Sequence, residues 1–222
     1  MLIVGLTGGV ASGKSTVSNI LREEGAYLID ADQIARDLVQ PHTPVWRELI
    51  KTFGKDILQQ DGSIHRKRLA TIVFSDREKR DQLNQLLHPR IQEEMQRRVR
   101  AIGQSNPDAI VVIDAALLVE TGAHRDMDQL IVVQATEAQQ VERLRGREGM
   151  DLEEAKRIVS AQMPLGEKLK VADFVIGNEG AIEETRRKAK EVFQELRRMA
   201  LQKHKQTPAK QGPANRQSRG KE

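Results

Sequence analysis

The residues best equipped for chemistry lie together near the amino terminus. Gly8-Gly9-Val10-Ala11-Ser12-Gly13-Lys14-Ser15-Thr16 fits the pattern GxxxxGK[ST] without a gap. Glycines let a backbone wrap closely around an anion, so that successive N–H groups and the start of a following helix point at it. Lys14 adds a cation for the β and γ phosphates of a nucleoside triphosphate. Ser15 offers a hydroxyl to Mg²⁺, a hard ion that prefers oxygen ligands and travels with the phosphates. An apolar run before the motif (Leu2 to Leu6) and Val17, Ile20 and Leu21 after it predict a strand, a loop and a helix in that order. This is the context the motif requires.

Phosphate binding alone leaves the fate of the phosphate open, and the carboxylates narrow it. Ile29-Asp30-Ala31-Asp32 closes a second apolar run, at the sheet edge where open α/β folds place their ligands. Asp32 is a candidate to accept the proton of an attacking hydroxyl; either Asp30 or Asp32 could instead cap a helix beginning near Gln33. Asp114 ends the run Ile110 to Ile113 and is a candidate to reach Mg²⁺, directly or through water; an ordinary strand-end aspartate is the alternative. Arg143, Arg145, Arg147, Lys156, Arg157, Lys168 and Lys170 crowd the segment 142–170. They read as a lid that brings Arg143 or Arg147 to the charge developing during transfer, or as a solvated face.

Five short apolar runs can position these groups: Leu2 to Leu6, Ala26 to Ile29, Ile110 to Ile113, Leu130 to Val133 and Phe174 to Ile176. Alternation with helical patterns predicts a parallel sheet covered on both faces, an α/β fold of three layers. Residues 33–105 hold more helical material than one crossover needs and are expected to form a helical insertion. Leu83, Leu86, Leu87 and Ile91 fall at helical spacing within it, but Pro89 has no N–H to donate, so a helix is expected to end or kink at His88 and Pro89. Glu142 to Lys170 reads as irregular, with a helix starting at Asp151 and placing Leu152, Ala155, Ile158 and Val159 on one side. A last helix is expected from Ala181 to about Met199, packing through Val192, Phe193 and Leu196.

Composition removes other classes. No apolar run approaches the roughly 20 residues of a membrane span, and MLIVGLTGG lacks the basic start of a signal peptide, so a cytoplasmic location is the default expectation. Cysteine is absent and the five histidines are scattered, which argues against a disulfide framework or a cysteine or histidine metal site. The net charge of +4 is concentrated at the end: Lys203, Lys205, Lys210, Arg216, Arg219 and Lys221 face only Glu222. A disordered basic tail over 203–222 is expected, without aromatics to stack on bases, and this speaks against a nucleic-acid partner. No asparagine is followed by lysine, so the guanine signature of GTPases is missing. No LSGGQ-like segment is present, and the chain is short for a motor. A small phosphotransferase remains, with nothing in the sequence to set its oligomeric state.

GLTGGVASGKSTV, LIDADQIAR, LLHPRI, ALLVE and ADFVIGNEG occur in that order, and together they resemble the dephospho-coenzyme A kinase family over about residues 1 to 200. The resemblance implies a P-loop NTPase fold with a core (1–32, 106–141 and 171–202), a helical CoA-binding insertion (33–105) and a lid (142–170). It implies transfer from ATP to the 3′-hydroxyl of dephospho-CoA. It places the family's proposed base on Asp32, a lid arginine on Arg143, the adenine end at Asn178, and His88 and Arg90 near the acceptor. His88 could equally cap a helix that Pro89 begins. Ala116 stands where the family usually has proline, and Gly177 where it often has aspartate. The alternatives are a nucleoside or nucleotide kinase of the same fold, and a non-catalytic nucleotide-binding protein that uses the basic tail.

Overall fold

The structure, a computed structural model, describes residues 1–206, with the backbone alone for 147, 148 and 204–206. Five strands, β1 (Leu2–Gly8), β2 (Tyr27–Asp30), β3 (Ile110–Asp114), β4 (Gln129–Gln134) and β5 (Phe174–Gly177), form one sheet in the order β2-β3-β1-β4-β5. Every pairing is parallel. β3 is buried at all five positions, as its uninterrupted Ile-Val-Val-Ile run requires of a strand covered from both sides.

Both covers come from amphipathic helices. On one face Val4, Leu6, Val112 and Ile131 meet Val17, Ile20 and Leu21 of α1 (Lys14–Glu23) and Val192, Phe193 and Leu196 of α9 (Ile182–Gln206). On the other, Ile29, Val111, Ile113 and Val132 meet Ile34 of α2 (Ala31–Leu38), Leu165 and Leu169 of α8 (Leu165–Leu169), and the second half of α5 (Arg77–Ser105). The expected three layers are present.

Residues 31 to 105 are helical apart from their connections and one isolated antiparallel bridge, Leu58 to Ile64. Here α3 (Pro44–Phe53) and α4 (Arg66–Ser75) gather a small core of their own, Val45, Leu49, Ile57 and Ile64, against Leu83, Leu86 and Leu87 of α5. α5 then carries Ile91, Met95, Val99 and Ile102 onto the sheet.

The expected break at Pro89 does not occur, because α5 runs through it as a single element. The apolar clusters at its two ends hold it continuous. Pro89 deprives the Gln85 carbonyl of a donor, and one residue further on the Arg90 guanidinium supplies an extra donor to the same turn, Nη1 to the Leu86 carbonyl at 2.8 Å. His88 therefore caps no new helix and is an exposed residue in the middle of α5.

Two further expectations are corrected. The segment 142–170 is not irregular but holds the end of α6 (Glu137–Glu148), α7 (Leu152–Ser160) and α8. Asp151 caps α7 as expected, accepting from the Glu154 N–H at 2.8 Å; Ala155 is buried beside Ile158 and Val159 but Leu152 stays 41% exposed. The last helix continues beyond Met199 to Gln206, into the stretch expected to be a tail, and Lys203 pairs there with Asp128. Residues 207–222 lie outside the described residues.

Candidate active site

The parallel register brings the chemistry to one edge. Leu6 of β1 and Asp30 of β2 both pair with Asp114 of β3, so the loop that follows Gly8 emerges beside the ends of both acidic strands. The loop closes on itself through the Ser12 N–H to the Gly9 carbonyl at 3.1 Å, and α1 starts as the Thr16 N–H reaches the Gly13 carbonyl at 2.9 Å. The N–H groups of Gly13, Lys14 and Ser15 have no acceptor among the described residues. Together with the N-terminus of α1 they form an anion cradle.

Gly13 is indispensable to this shape. Its φ is +90°, and a Cβ there would stand 1.8 Å from Nδ2 of Asn178.

Behind the cradle a polar clamp holds the loop's carbonyls. Asn178, 8% exposed at the end of β5, donates Nδ2 to the Ser12 carbonyl at 2.9 Å. Arg143 on α6 donates Nη1 to the Ala11 and Ser12 carbonyls, both at 3.2 Å, and Nη2 to the Asn178 carbonyl at 2.7 Å. Thr185 completes the set by donating to Oδ1 of Asn178 at 3.1 Å. The clamp joins residues more than a hundred positions apart, and a single planar guanidinium suits its three acceptors. Arg143 thus touches the outside of the loop, in a helix packed on the core. Arg147 lies one turn further along α6, and its side chain lies outside the described residues.

On the inner side Lys14 and Asp114 form an ion pair, with side chains 19% and 8% exposed. Burial pushes the Asp114 carboxyl above the usual aspartate range, the Lys14 cation opposes this, and the neighbouring Asp30 charge adds to it. Asp30 and Asp32 now separate. Asp30 caps α2, accepting from the Gln33 N–H at 2.8 Å, whereas the Asp32 carboxylate is exposed and makes no hydrogen bond or ion pair among the described residues.

For a divalent cation the residues present offer only oxygen: the exposed hydroxyl of Ser15 and the Asp114 carboxylate. No cluster of three His, Cys, Asp or Glu able to hold a metal occurs among the described residues. That donor set fits Mg²⁺ that completes its shell with phosphate oxygens and water.

The remaining candidates lie in the insertion. Arg90 is tied to Glu48 of α3, Nη2 lying 2.8 and 2.7 Å from the two carboxylate oxygens. A cavity of about 400 Å³ opens elsewhere in the insertion, lined by Gln40, Gln59, Ser63, His65, Arg66 and Lys67 among others and by no residue of the loop.

Sequence reasoning missed three contributors. Gln140 of α6 is buried against Gly9, and Gln162 binds the Val10 N–H; a lone glutamine on a helix or in a turn carries no sequence signal. Lys168 appeared as one cation among many but is completely buried, 2.7 Å from Glu120 and donating to the Ala116 carbonyl at 3.1 Å. Only the ALLVE segment hinted at Glu120. The departures at 116 and 177 fall where the backbone does the bonding: both carbonyls accept hydrogen bonds, from Thr7 and Lys168 and from Thr185 respectively.

A parallel sheet with a complete phosphate loop, a loop lysine and carboxylates on the adjacent strand ends defines a P-loop phosphotransferase. Within that class the chain belongs to the dephospho-CoA kinase family, whose profile matches residues 2–184. It is 46% identical over 192 residues to the dephospho-CoA kinase of Carboxydothermus hydrogenoformans, a match covering 86% of this chain and 93% of the relative. The Aquifex aeolicus dephospho-CoA kinase is 43% identical over 195 residues, covering 88% and 97%. Among solved structures, TT1252 from Thermus thermophilus superposes with a TM-score of 0.77 at 32% identity, covering 88% of this chain and 97% of that one. Dephospho-CoA kinase from Campylobacter jejuni gives 0.66 at 28%, covering 89% and 98%.

Proposed function

We propose that this chain transfers the γ-phosphoryl group of ATP to the ribose 3′-hydroxyl of dephospho-CoA, giving CoA and ADP, the last step of coenzyme A synthesis. The observation that carries the mechanism is the division of labour between Asp30 and Asp32: one carboxylate is used up in capping α2, and the other is left free at the same strand end. Asp32 accepts the hydroxyl proton as the 3′-oxygen attacks. The new O–P bond forms while the bond from the γ-phosphorus to the β,γ-bridging oxygen breaks, and ADP leaves.

The loop from Gly8 to Thr16 wraps the triphosphate and meets it with the unengaged N–H groups of Gly13, Lys14 and Ser15. Lys14 leaves Asp114 to balance the charge on the transferring group, a purely electrostatic contribution. Mg²⁺ would be held by Ser15, with Asp114 reaching it through water, and would neutralise phosphate charge. Arg143 and Asn178 support catalysis by fixing the loop from behind, and Asn178 also borders the adenine end. Arg147 belongs to the same proposal as an ATP contact.

The helical insertion, including His88 and Arg90, takes the acceptor, and residues 142–170, which hold the end of α6, α7 and α8, serve as the lid. A cytoplasmic site of action belongs to the same reading.

Purified protein with Mg-ATP and a panel of dephospho-CoA, nucleosides and nucleotides tests it. CoA and ADP should form in equal amounts from dephospho-CoA. Turnover of a nucleoside in preference to dephospho-CoA, or no CoA at all, would overturn the assignment.

A further inference from the structure

One phosphate-loop N–H is already engaged. Val10 donates its backbone N–H to Oε1 of Gln162 at 2.6 Å, across 152 positions of sequence and in a partly buried setting. Gln162 sits in the turn between α7 and α8, just past the α7 C-cap at Ala161, and its own N–H reaches back to the Val159 carbonyl. The arm that delivers it is well defined. α7 packs Ala155, Ile158 and Val159 onto Val10 and Ala11, the apolar tip of the loop, together with Val141 and Leu144 of α6.

At the far end, the arm is pinned where Lys168 of α8 meets Glu120 and the Ala116 carbonyl. Among the described residues no other hydrogen bond joins residues 149–164 to the loop.

We propose that Gln162 is a positioning residue for nucleotide binding: its carboxamide oxygen orients the Val10 N–H at the tip of the phosphate cradle and ties the α7 arm to the loop. The group has to be a neutral acceptor. A hydrocarbon would leave the N–H unpaired, whereas a carboxylate would accept it but set a negative charge beside the triphosphate. The inference rests on the phosphate loop binding ATP and is independent of the identity of the acceptor.

Two variants separate the requirements. Gln162→Glu keeps the accepting oxygen and adds charge; Gln162→Met keeps the length and removes the acceptor. ATP and ADP affinities measured calorimetrically, with melting temperature as control, give the readout. Gln162→Glu should weaken ATP by about tenfold, the order expected of a unit charge placed near another in a partly solvated site, and should weaken ADP less. Gln162→Met should raise KM for ATP with a smaller change in kcat and reduce both affinities alike.

The proposal is overturned if both variants bind ATP and ADP as the parent does, or if both change only the melting temperature. Should Gln162→Met fail to fold, the ATP-to-ADP ratio of Gln162→Glu decides alone. A parent protein inactive on dephospho-CoA whose ATP-to-ADP ratio still shifts with Gln162→Glu would remove the acceptor assignment and leave this one standing.

Discussion

Two aspartates two positions apart have unrelated tasks, and the backbone hydrogen bond to one of them sets the difference. Asp30 holds the Gln33 N–H, so Asp30→Ala should cost about 1 kcal/mol of stability, the usual value of a helix cap, measurable by urea unfolding. Asp32→Asn keeps shape but removes the proton acceptor. It should lower kcat by about two to four powers of ten while ATP affinity is retained; full activity would reduce Asp32 to a bystander. Lys14→Ala should lower both nucleotide affinity and rate. The loop itself was legible because all its groups are contiguous from Gly8 to Thr16, so spacing alone exposes them. The choice between Asp30 and Asp32 was not, since either could cap a helix starting one residue later. The clamp from Arg143 and Asn178 was invisible as geometry, because its acceptors are main-chain carbonyls, which every residue has.

At the level of elements, α5 shows how packing overrules a local rule. Pro89 predicted a corner, yet leucines before it and Ile91, Met95, Val99 and Ile102 after it are buried by two different clusters, so the rod is held from both ends. The cost of the proline remains within the helix. Pro89→Ala should therefore stabilise the protein, by up to about 3 kcal/mol, read from the shift in urea midpoint; a destabilised variant would mean that the local distortion is itself needed for packing.

The same helix carries a pH signature. Arg97 and Arg98 hydrogen-bond Glu94 from the next turn and hold its carboxyl down to about 2. A depressed carboxylate contributes stability above its unfolded value, near 4.5, and loses it as pH falls toward about 2. The advantage of the parent over Glu94→Gln, under about 1 kcal/mol at neutral pH because both arginines reach solvent, should fade across that window. Strand existence was readable from runs of β-branched residues; within 142–170 only α7 announced itself, through its Asp151 cap and one apolar side, whereas the charge-rich end of α6 and the five-residue α8 did not.

For the molecule as a whole, the excess of positive charge lies at the end of the sequence, with Lys210, Arg216, Arg219 and Lys221 against Glu222 beyond the described residues. Every residue assigned to the site lies between 8 and 185, so deleting 207–222 should leave kcat/KM unchanged within about twofold. A collapse of activity would revive a role for the tail. The architecture was legible from the alternation of strands and helices; the pin under the α7 arm was not, since a lysine in a basic stretch gives no sign of burial. That pin has a consequence for how the sequence can change over time. Lys168 is wholly buried and Glu120 keeps both carboxylate oxygens out of solvent, so losing either partner strands a charge in the interior at a cost of about 3–5 kcal/mol. Replacing both by apolar residues of similar volume removes the stranded charge. The two positions are thus expected to drift only as a couple: each single substitution is a valley, and the double substitution lies on the far side of it.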